Sequence, residues 1–262
     1  MAVDAPTKNK TDNTYFDELE IIREELDKCM KCGNCMSVCP VYEAEKLESA
    51  VTRSKISVAE AVLEGELELD DPQVYNMLFN CLVCKSCMTN CPTKVNFDRI
   101  ILALRAALVR KNGLPWLKKT IFSSLNNPKV FDAGMRIGSA MQFLAFRGED
   151  GGKAISPRSP FTMAGERIGF DAERRLPTVA KKPLRDELPE VVQVSEAKTK
   201  VAFFTGDSLN YFYPQAGKDL VEVLTANNVE VHIPKDQSCC GTPVLVHGDV
   251  KTARALAKRN ID

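Results

Sequence analysis

The sequence is short of the usual polar apparatus of catalysis. It has two histidines, His232 and His247. Neither has a paired acid at motif spacing, and both read as structural or exposed. No glycine-rich phosphate loop follows a strand, so no nucleotide or flavin site is visible and no catalytic residue is assigned. Net charge is zero, with 35 Lys plus Arg against 35 Asp plus Glu. That gives no support to nucleic-acid binding through bulk charge. No run of about 18 uncharged apolar residues occurs, so no transmembrane span is expected. The opening MAVDAPTKNKTDNTYFDELE lacks the apolar core of ~7–15 residues and the small-residue cleavage site of a secretory signal. A cytoplasmic location is the expectation, and there structural disulfides are rare.

Cysteine is the residue in excess, with ten in 262. That is too few for a small disulfide scaffold and too many for chance in a reducing compartment, which leaves metal binding as the leading use. Charge is also uneven along the chain. Residues 1–100 carry 11 basic and 18 acidic side chains, residues 101–200 carry 18 and 10, and residues 201–262 carry 6 and 7. The front is acidic, the middle basic and the end close to neutral.

Helical periodicity is read over 14–28, opened by Thr14 and Asp17 as a capping box, with Tyr15, Leu19, Ile22 and Leu26 on one face. Further helices are predicted over 54–64, stopped by Gly65, and from Asp71–Pro72 through Val74, Met77 and Leu78. The clearest amphipathic helix is 96–111, with Phe97, Ile100, Ile101, Leu104 and Leu108 aligned. Weaker helices fill 116–146, broken near Asn126–Asn127–Pro128. Five Gly and five Pro fall in residues 147–200, which predicts an extended connection with little regular structure. From Lys200 the pattern is strand (Val201–Thr205), helix (Asp219–Ala226), strand (Val229–Ile233): a βαβ unit, followed by a last helix over 249–260.

Eight of the ten cysteines form two matched runs. Cys29, Cys32, Cys35 and Cys39 precede Pro40; Cys81, Cys84, Cys87 and Cys91 precede Pro92, 52 residues later. The spacing C-x2-C-x2-C-x3-C-P is that of bacterial ferredoxins, in which the fourth cysteine of each run ligates the other cubane. Crossing the runs gives Cys29, Cys32, Cys35 and Cys91 for one 4Fe-4S cluster and Cys39, Cys81, Cys84 and Cys87 for the second. Structural zinc is the competing reading, but it leaves the third CxxC step and the x3-C-P ending unexplained. Gly33 is expected to let backbone N–H groups approach a sulfur, and Tyr42 and Phe79 to shield the clusters or simply to pack.

The 41 residues between the runs read as helices rather than hairpins. In this the front of the chain resembles the alpha-helical ferredoxin module of succinate dehydrogenase iron–sulfur subunits, heterodisulfide reductases and anaerobic dehydrogenases. The stretch from Lys200, with Cys239–Cys240–Gly241, resembles the cysteine-rich "CCG" domain. That domain follows such a module in the iron–sulfur subunits of glycolate oxidase and anaerobic glycerol-3-phosphate dehydrogenase, in lactate-utilisation proteins and in heterodisulfide reductases. Two departures stand out. Ser208 occupies the place of a family cysteine about thirty residues before the CCG, and a downstream CxxC is not reached before Asp262. Cys239 and Cys240 are therefore candidates for a third iron–sulfur site that lacks its other ligands, in a domain that reads as incomplete.

The expected fold is mainly α at the front, followed by an extended linker and a small α/β domain. The expected segments are 1–113 (ferredoxin module, two 4Fe-4S clusters), 114–146 (amphipathic helical extension), 147–199 (linker) and 200–262 (partial CCG-type domain). The resemblance implies an electron-transfer subunit of a multi-subunit oxidoreductase. Its partners would be a flavoprotein dehydrogenase subunit, acting on a hydroxy acid or glycerol-3-phosphate, and another redox subunit or a quinone-linked membrane component. The alternative is a heterodisulfide-reductase-like catalytic subunit using a CCG-bound cluster. The basic middle, in which Arg110, Lys111, Lys118, Lys119, Lys129 and Arg136 alternate with apolar residues, suits either peripheral contact with the inner face of the cell membrane, an acidic partner, or an ordinary solvated face.

Overall fold

The computed structural model describes residues 19, 22–149, 154–157 and 176–261. The capping-box residues Thr14, Tyr15 and Asp17, and residues 150–153 and 158–175 of the Gly/Pro-rich stretch, lie outside them. The chain forms two compact units. One runs to Lys119 and includes Thr242–Ala253; the other is Thr120–Gly241 with the residues from Arg254 onward.

The first unit is helical. Its elements are α1 (Arg23–Asp27), α2 (Pro40–Glu45), α3 (Thr52–Glu64), α4 (Pro72–Phe79), α5 (Ser86–Thr89) and α6 (Phe97–Asn112). The ends follow local chemistry. The Asp71 carboxylate accepts from the N–H groups of Gln73 at 2.7 Å and Val74 at 3.3 Å, capping α4 ahead of Pro72. Gly65 ends α3 in a left-handed conformation. Arg110 and Lys111 lie in the last turn of α6, where cations suit the helix dipole. The stripe predicted on α6 is the core: Phe97, Ile100, Ile101, Leu104 and Leu108 are buried against Ile56, Ala59, Val62 and Leu63 of α3, Val74 and Leu78 of α4, and Leu19, Ile22 and Leu26. Each such side chain contributes roughly 1.5–3 kcal/mol by leaving water.

Two helices follow, α7 (Trp116–Leu125) and α8 (Pro128–Ala145), divided where the sequence places a break. Asn127 caps α8 through its side chain, which accepts from the Val130 N–H. The second unit then holds two three-stranded sheets. In the first, β1 (Phe146–Glu149), β2 (Ala154–Pro157) and β3 (Leu176–Pro177) are antiparallel. In the second, the predicted βαβ unit is present: β5 (Thr199–Ala202) lies parallel to β6 (Val229–His232), and α10 (Pro214–Ala226) connects them.

The structure differs from the sequence reading in four places here, the first being the sheet of β1, β2 and β3, which lies almost entirely in residues read as a connection with little regular structure. β4 (Val191–Val192), after the short helix α9 (Leu184–Glu187), adds antiparallel to β6, so the sheet recruits residues read as connection. A strand of two residues has no alternation to read; its pairing comes from the free edge of β6. The helix of the βαβ unit starts five residues earlier than predicted, at Pro214, which takes the first helical position. A π-helical turn, Ser208–Phe212, precedes it. α11 (Thr242–Val246) and α12 (Val250–Ile261) complete the chain.

Candidate metal centres

The two cysteine runs fold alike, and the repeat lies in the backbone. Two and four residues after the first cysteine, each loop takes a left-handed conformation: Lys31 at φ +54° and Gly33 at φ +88° in the first, Val83 at φ +52° and Lys85 at φ +66° in the second. For Val83 this is a strained geometry for a β-branched residue. It turns the Val83 N–H onto Cys81 Sγ, 3.4 Å away. Gly33 is fixed by more than its φ. A Cβ there would stand 2.8 Å from the flexible end of Arg53, which would have to shift, so it is chiefly the backbone conformation that favours glycine.

The loops differ at their ends. Cys39 precedes Pro40 and stands at the N-terminus of α2, as the x3-C-P ending suggests. Cys91 does not start a helix; the chain turns after it, and α6 begins only at Phe97.

The eight cysteines line two hollows. One is walled by Cys39, Cys81, Cys84 and Cys87 together with Val41, Ala50, Lys55, Val83 and Phe97. The other is walled by Cys29, Cys32, Cys35, Cys91 and Cys87 with Ile56, Val95 and Phe97. Cys87, Thr52 and Phe97 face both. Among the described residues no three Cys, His, Asp or Glu side chains converge as they would on a single metal ion. The sulfurs instead surround a space, which suits a polynuclear cluster better than one zinc. Neither Tyr42 nor Phe79 is in these walls; Phe97, read from the sequence only as core, is the aromatic that stands between them.

Charge gives an independent test of fit. Lys55 is 1% exposed and lines the hollow of Cys39 and Cys81. Its ammonium donates to the carbonyl oxygens of Ser49, at 3.2 Å, and Ala50. Cys39 Sγ reaches the same Ala50 oxygen at 3.8 Å. No carboxylate among the described residues lies within ion-pair distance of Lys55, though Glu45 attracts it from further off. Burial pushes this ammonium below its ordinary value, and Cys81 and Cys39 act in the opposite direction. A buried cation calls for a buried anion. The deprotonated thiolates of an iron–sulfur cluster supply one, so the residues present fit the cofactor that the cysteine spacing implies.

Arg105, also buried, holds the second loop in place. Its guanidinium donates to Leu78 O at 2.6 Å, Cys81 O at 2.6 Å and Val246 O at 2.7 Å, and lies 4.9 Å from the centre of the Phe79 ring. One side chain thus caps the end of α4, fixes the first cysteine of the loop and ties in α11. Sequence reasoning missed both Lys55 and Arg105. The available signal was a single charge on the apolar face of a predicted helix.

In the second unit, Cys239 is buried and accepts from the Gly241 N–H at 3.5 Å. Burial pushes its thiol up to about 12, and the hydrogen bond it donates to the Asp207 carboxylate adds to this. Cys240 is exposed. The loop carrying them is built by buried amides. Gln237 Oε1 accepts from Thr205 N at 2.8 Å, and its Nε2 donates to Phe203 O and Pro234 O at 2.9 Å. Asn260 of α12 accepts from Ser238 N and donates to Cys239 O. Ser208 is exposed, and the residue brought to Cys239 is its neighbour Asp207.

Comparison with known proteins finds two matched domains along the chain. Residues 25–95 match the model of the 4Fe-4S dicluster domain, and residues 201–262 match that of the cysteine-rich domain. A probable glycolate oxidase iron–sulfur subunit of Bacillus subtilis is 26% identical over 239 residues, covering 90% of this chain and 53% of that protein. One subunit of the anaerobic glycerol-3-phosphate dehydrogenase of Escherichia coli is 29% identical over 240 residues, covering 90% and 55%. One subunit of a fumarate reductase (CoM/CoB) of Methanothermobacter marburgensis is 24% identical over 239 residues, covering 90% and 39%. The chain spans about half the length of the curated relatives it matches. No helix among the described residues is long and apolar enough to cross a membrane. With two cysteine-lined hollows in its helical unit and a buried Cys239 in its α/β unit, the chain is an iron–sulfur protein that joins a 4Fe-4S dicluster domain to a cysteine-rich domain.

Proposed function

We propose that the chain is the electron-transfer part of a multi-subunit oxidoreductase, holding two 4Fe-4S clusters. Cys29, Cys32, Cys35 and Cys91 would hold one, and Cys39, Cys81, Cys84 and Cys87 the other. The observation that carries the reading is the pair of hollows with a common wall: each gathers three cysteines of one run and the last of the other, and Cys87 faces both. When bound, such clusters supply one-electron transfer. The protein's part is to hold the sulfurs, to keep water out with Val83, Phe97, Ile56 and Val95, and to offset buried negative charge with Lys55. Electrons would arrive from a flavoprotein dehydrogenase subunit acting on a hydroxy acid or glycerol-3-phosphate. They would leave to a quinone or a further redox subunit.

The partner surface is proposed to include α8. Val130, Ile137, Met141 and Leu144 are half or more exposed and recur at helical spacing along it. Arg136 on this helix is already paired with Asp132 and Asp186, so apolar contact rather than charge would dominate. A partner subunit or the membrane surface would cover it.

Anaerobic purification with metal counting tests the assignment. The expected result is about eight irons per chain, two cubanes of four, with spin-coupled signals in the reduced state. Stoichiometric zinc without iron would refute it.

A further inference from the structure

A third cavity, of about 260 Å³, lies within the first unit behind the second cysteine loop. Tyr75 and Phe79 form one wall, their rings 4.6 Å apart and inclined by 31°. Leu108, Val109, Leu114 and Pro115 form the others, and the polar groups at it are Lys118, His247, the Tyr75 hydroxyl and the Asn112 amide. Lys118 lies 5.3 Å from the centre of the Phe79 ring and has no carboxylate partner among the described residues. His247 Nδ1 lies 2.8 Å from Pro243 O; since a carbonyl can only accept, Nδ1 is the protonated nitrogen and donates.

Three properties select an occupant. The walls are aromatic and aliphatic, which favours a flat apolar ring. An ammonium without a carboxylate partner among the described residues lines that space, which favours a ligand carrying a hydrogen-bond-accepting oxygen. The volume is at the small end for ligand sites, enough for one substituted ring and too small for a dinucleotide. Position adds a fourth property. Phe79 is two residues from Cys81, at most about 7 Å along the chain, and the Arg105 guanidinium touches both that ring and Cys81 O.

We propose that this cavity binds the headgroup of a quinone, with Lys118 donating to a carbonyl oxygen and Tyr75 and Phe79 lining one side of the ring. The inference rests on the electron-transfer reading above and names the acceptor and its place. Reduction to the hydroquinone takes two electrons, delivered singly from the reduced iron–sulfur clusters, which are oxidised. It also takes two protons, one from the Lys118 ammonium, which solvent reprotonates, and one from water.

Trp116, the sole tryptophan, directly follows Pro115 of the cavity wall and reports occupancy. The iron-loaded protein is titrated with a short-chain ubiquinone, and Trp116 fluorescence is followed. Saturable quenching is expected, weakened tenfold or more in Lys118→Met and in the cavity-filling Val109→Phe, with the visible cluster spectrum unchanged in both. Quenching that never saturates, or equal affinity in Lys118→Met and wild type, would overturn the proposal. If Val109→Phe fails to load iron, Lys118→Met alone decides. Iron content separates the two readings: wild type without iron refutes electron transfer, whereas iron-loaded wild type that binds no quinone refutes only this cavity's role.

Discussion

Replacing Lys55 by methionine removes a buried charge while keeping most of the side-chain volume. Lys55 and Cys39 share the Ala50 carbonyl as a partner, which puts the ammonium close to the hollow of Cys39, Cys81, Cys84 and Cys87. The reduced cluster carries one more negative charge than the oxidised one, so the cation favours reduction. At a separation of roughly 7 Å and an effective dielectric of about 20, the interaction is about 2.4 kcal/mol. At about 1.4 kcal/mol per 59 mV for a one-electron couple, that is about 100 mV. Lys55→Met should therefore lower the potential of this cluster by about 100 mV, and that of the cluster in the neighbouring hollow by less than half as much. An EPR-monitored redox titration under anaerobic conditions measures both. A shift below about 20 mV, or equal shifts in the two clusters, would refute the placement of Lys55 as the counter-charge. The iron-free protein gives the opposite sign as a control. Without thiolates the ammonium is a buried unpaired charge, so Lys55→Met should leave the apoprotein as stable or more stable in urea.

Cys39→Ser should perturb the cluster held by Cys81, Cys84 and Cys87, seen as altered or lost EPR signal of that cluster; loss confined to the Cys29 cluster would contradict crossed ligation. Arg105→Ala leaves the carbonyl oxygens of Leu78, Cys81 and Val246 without their donor, and should cost about 3 kcal/mol or more in urea unfolding together with iron from the second loop. Gly248→Ala drives a Cβ into Arg105 O at φ +89°, where backbone cannot yield, and should lower stability by about 2 kcal/mol or more in thermal melting. Glu25 is buried and held at about 2, against 4.5 ordinarily, by hydrogen bonds from Lys28 and from Asn96. Because the folded value is the lower one, its stabilisation is complete above the unfolded value and is lost as pH falls from there toward 2. The size is about 3 kcal/mol, and Glu25→Gln should flatten the stability profile over that range in urea titrations between pH 7 and pH 3.

Much of the helical unit was legible because its signals are local. The α6 stripe from Phe97 to Leu108 needs only the helical period, and the Asp71–Pro72 start and Gly65 stop need only cap chemistry. The βαβ order from Lys200 was legible for the same reason. β4 was not, since two valines have no period and their strand exists through the edge of β6. The amide scaffold of Gln237 and Asn260 around the CCG loop was equally hidden, because each side chain bonds groups more than twenty residues away. For Phe79 the sequence leaves open a cluster shield or simple packing; the structure places it in the wall of the Tyr75 cavity, with Arg105 and Lys118 over its ring.

The sequence alone determined the donor chemistry: eight cysteines at the repeated spacing of a ferredoxin run, and an α/β half carrying a cysteine pair. Only the tertiary structure decided which cysteines face the same hollow, since Cys39 and Cys81 are 42 residues apart and meet through the packing of α3 and α6. It also placed two charges at the second loop: Lys55 in the wall of its hollow, and Arg105 on the Cys81 carbonyl. A charged residue on an apolar helix face looks like a pattern defect until the anionic or carbonyl partner is seen, and that partner is supplied by another segment of the chain.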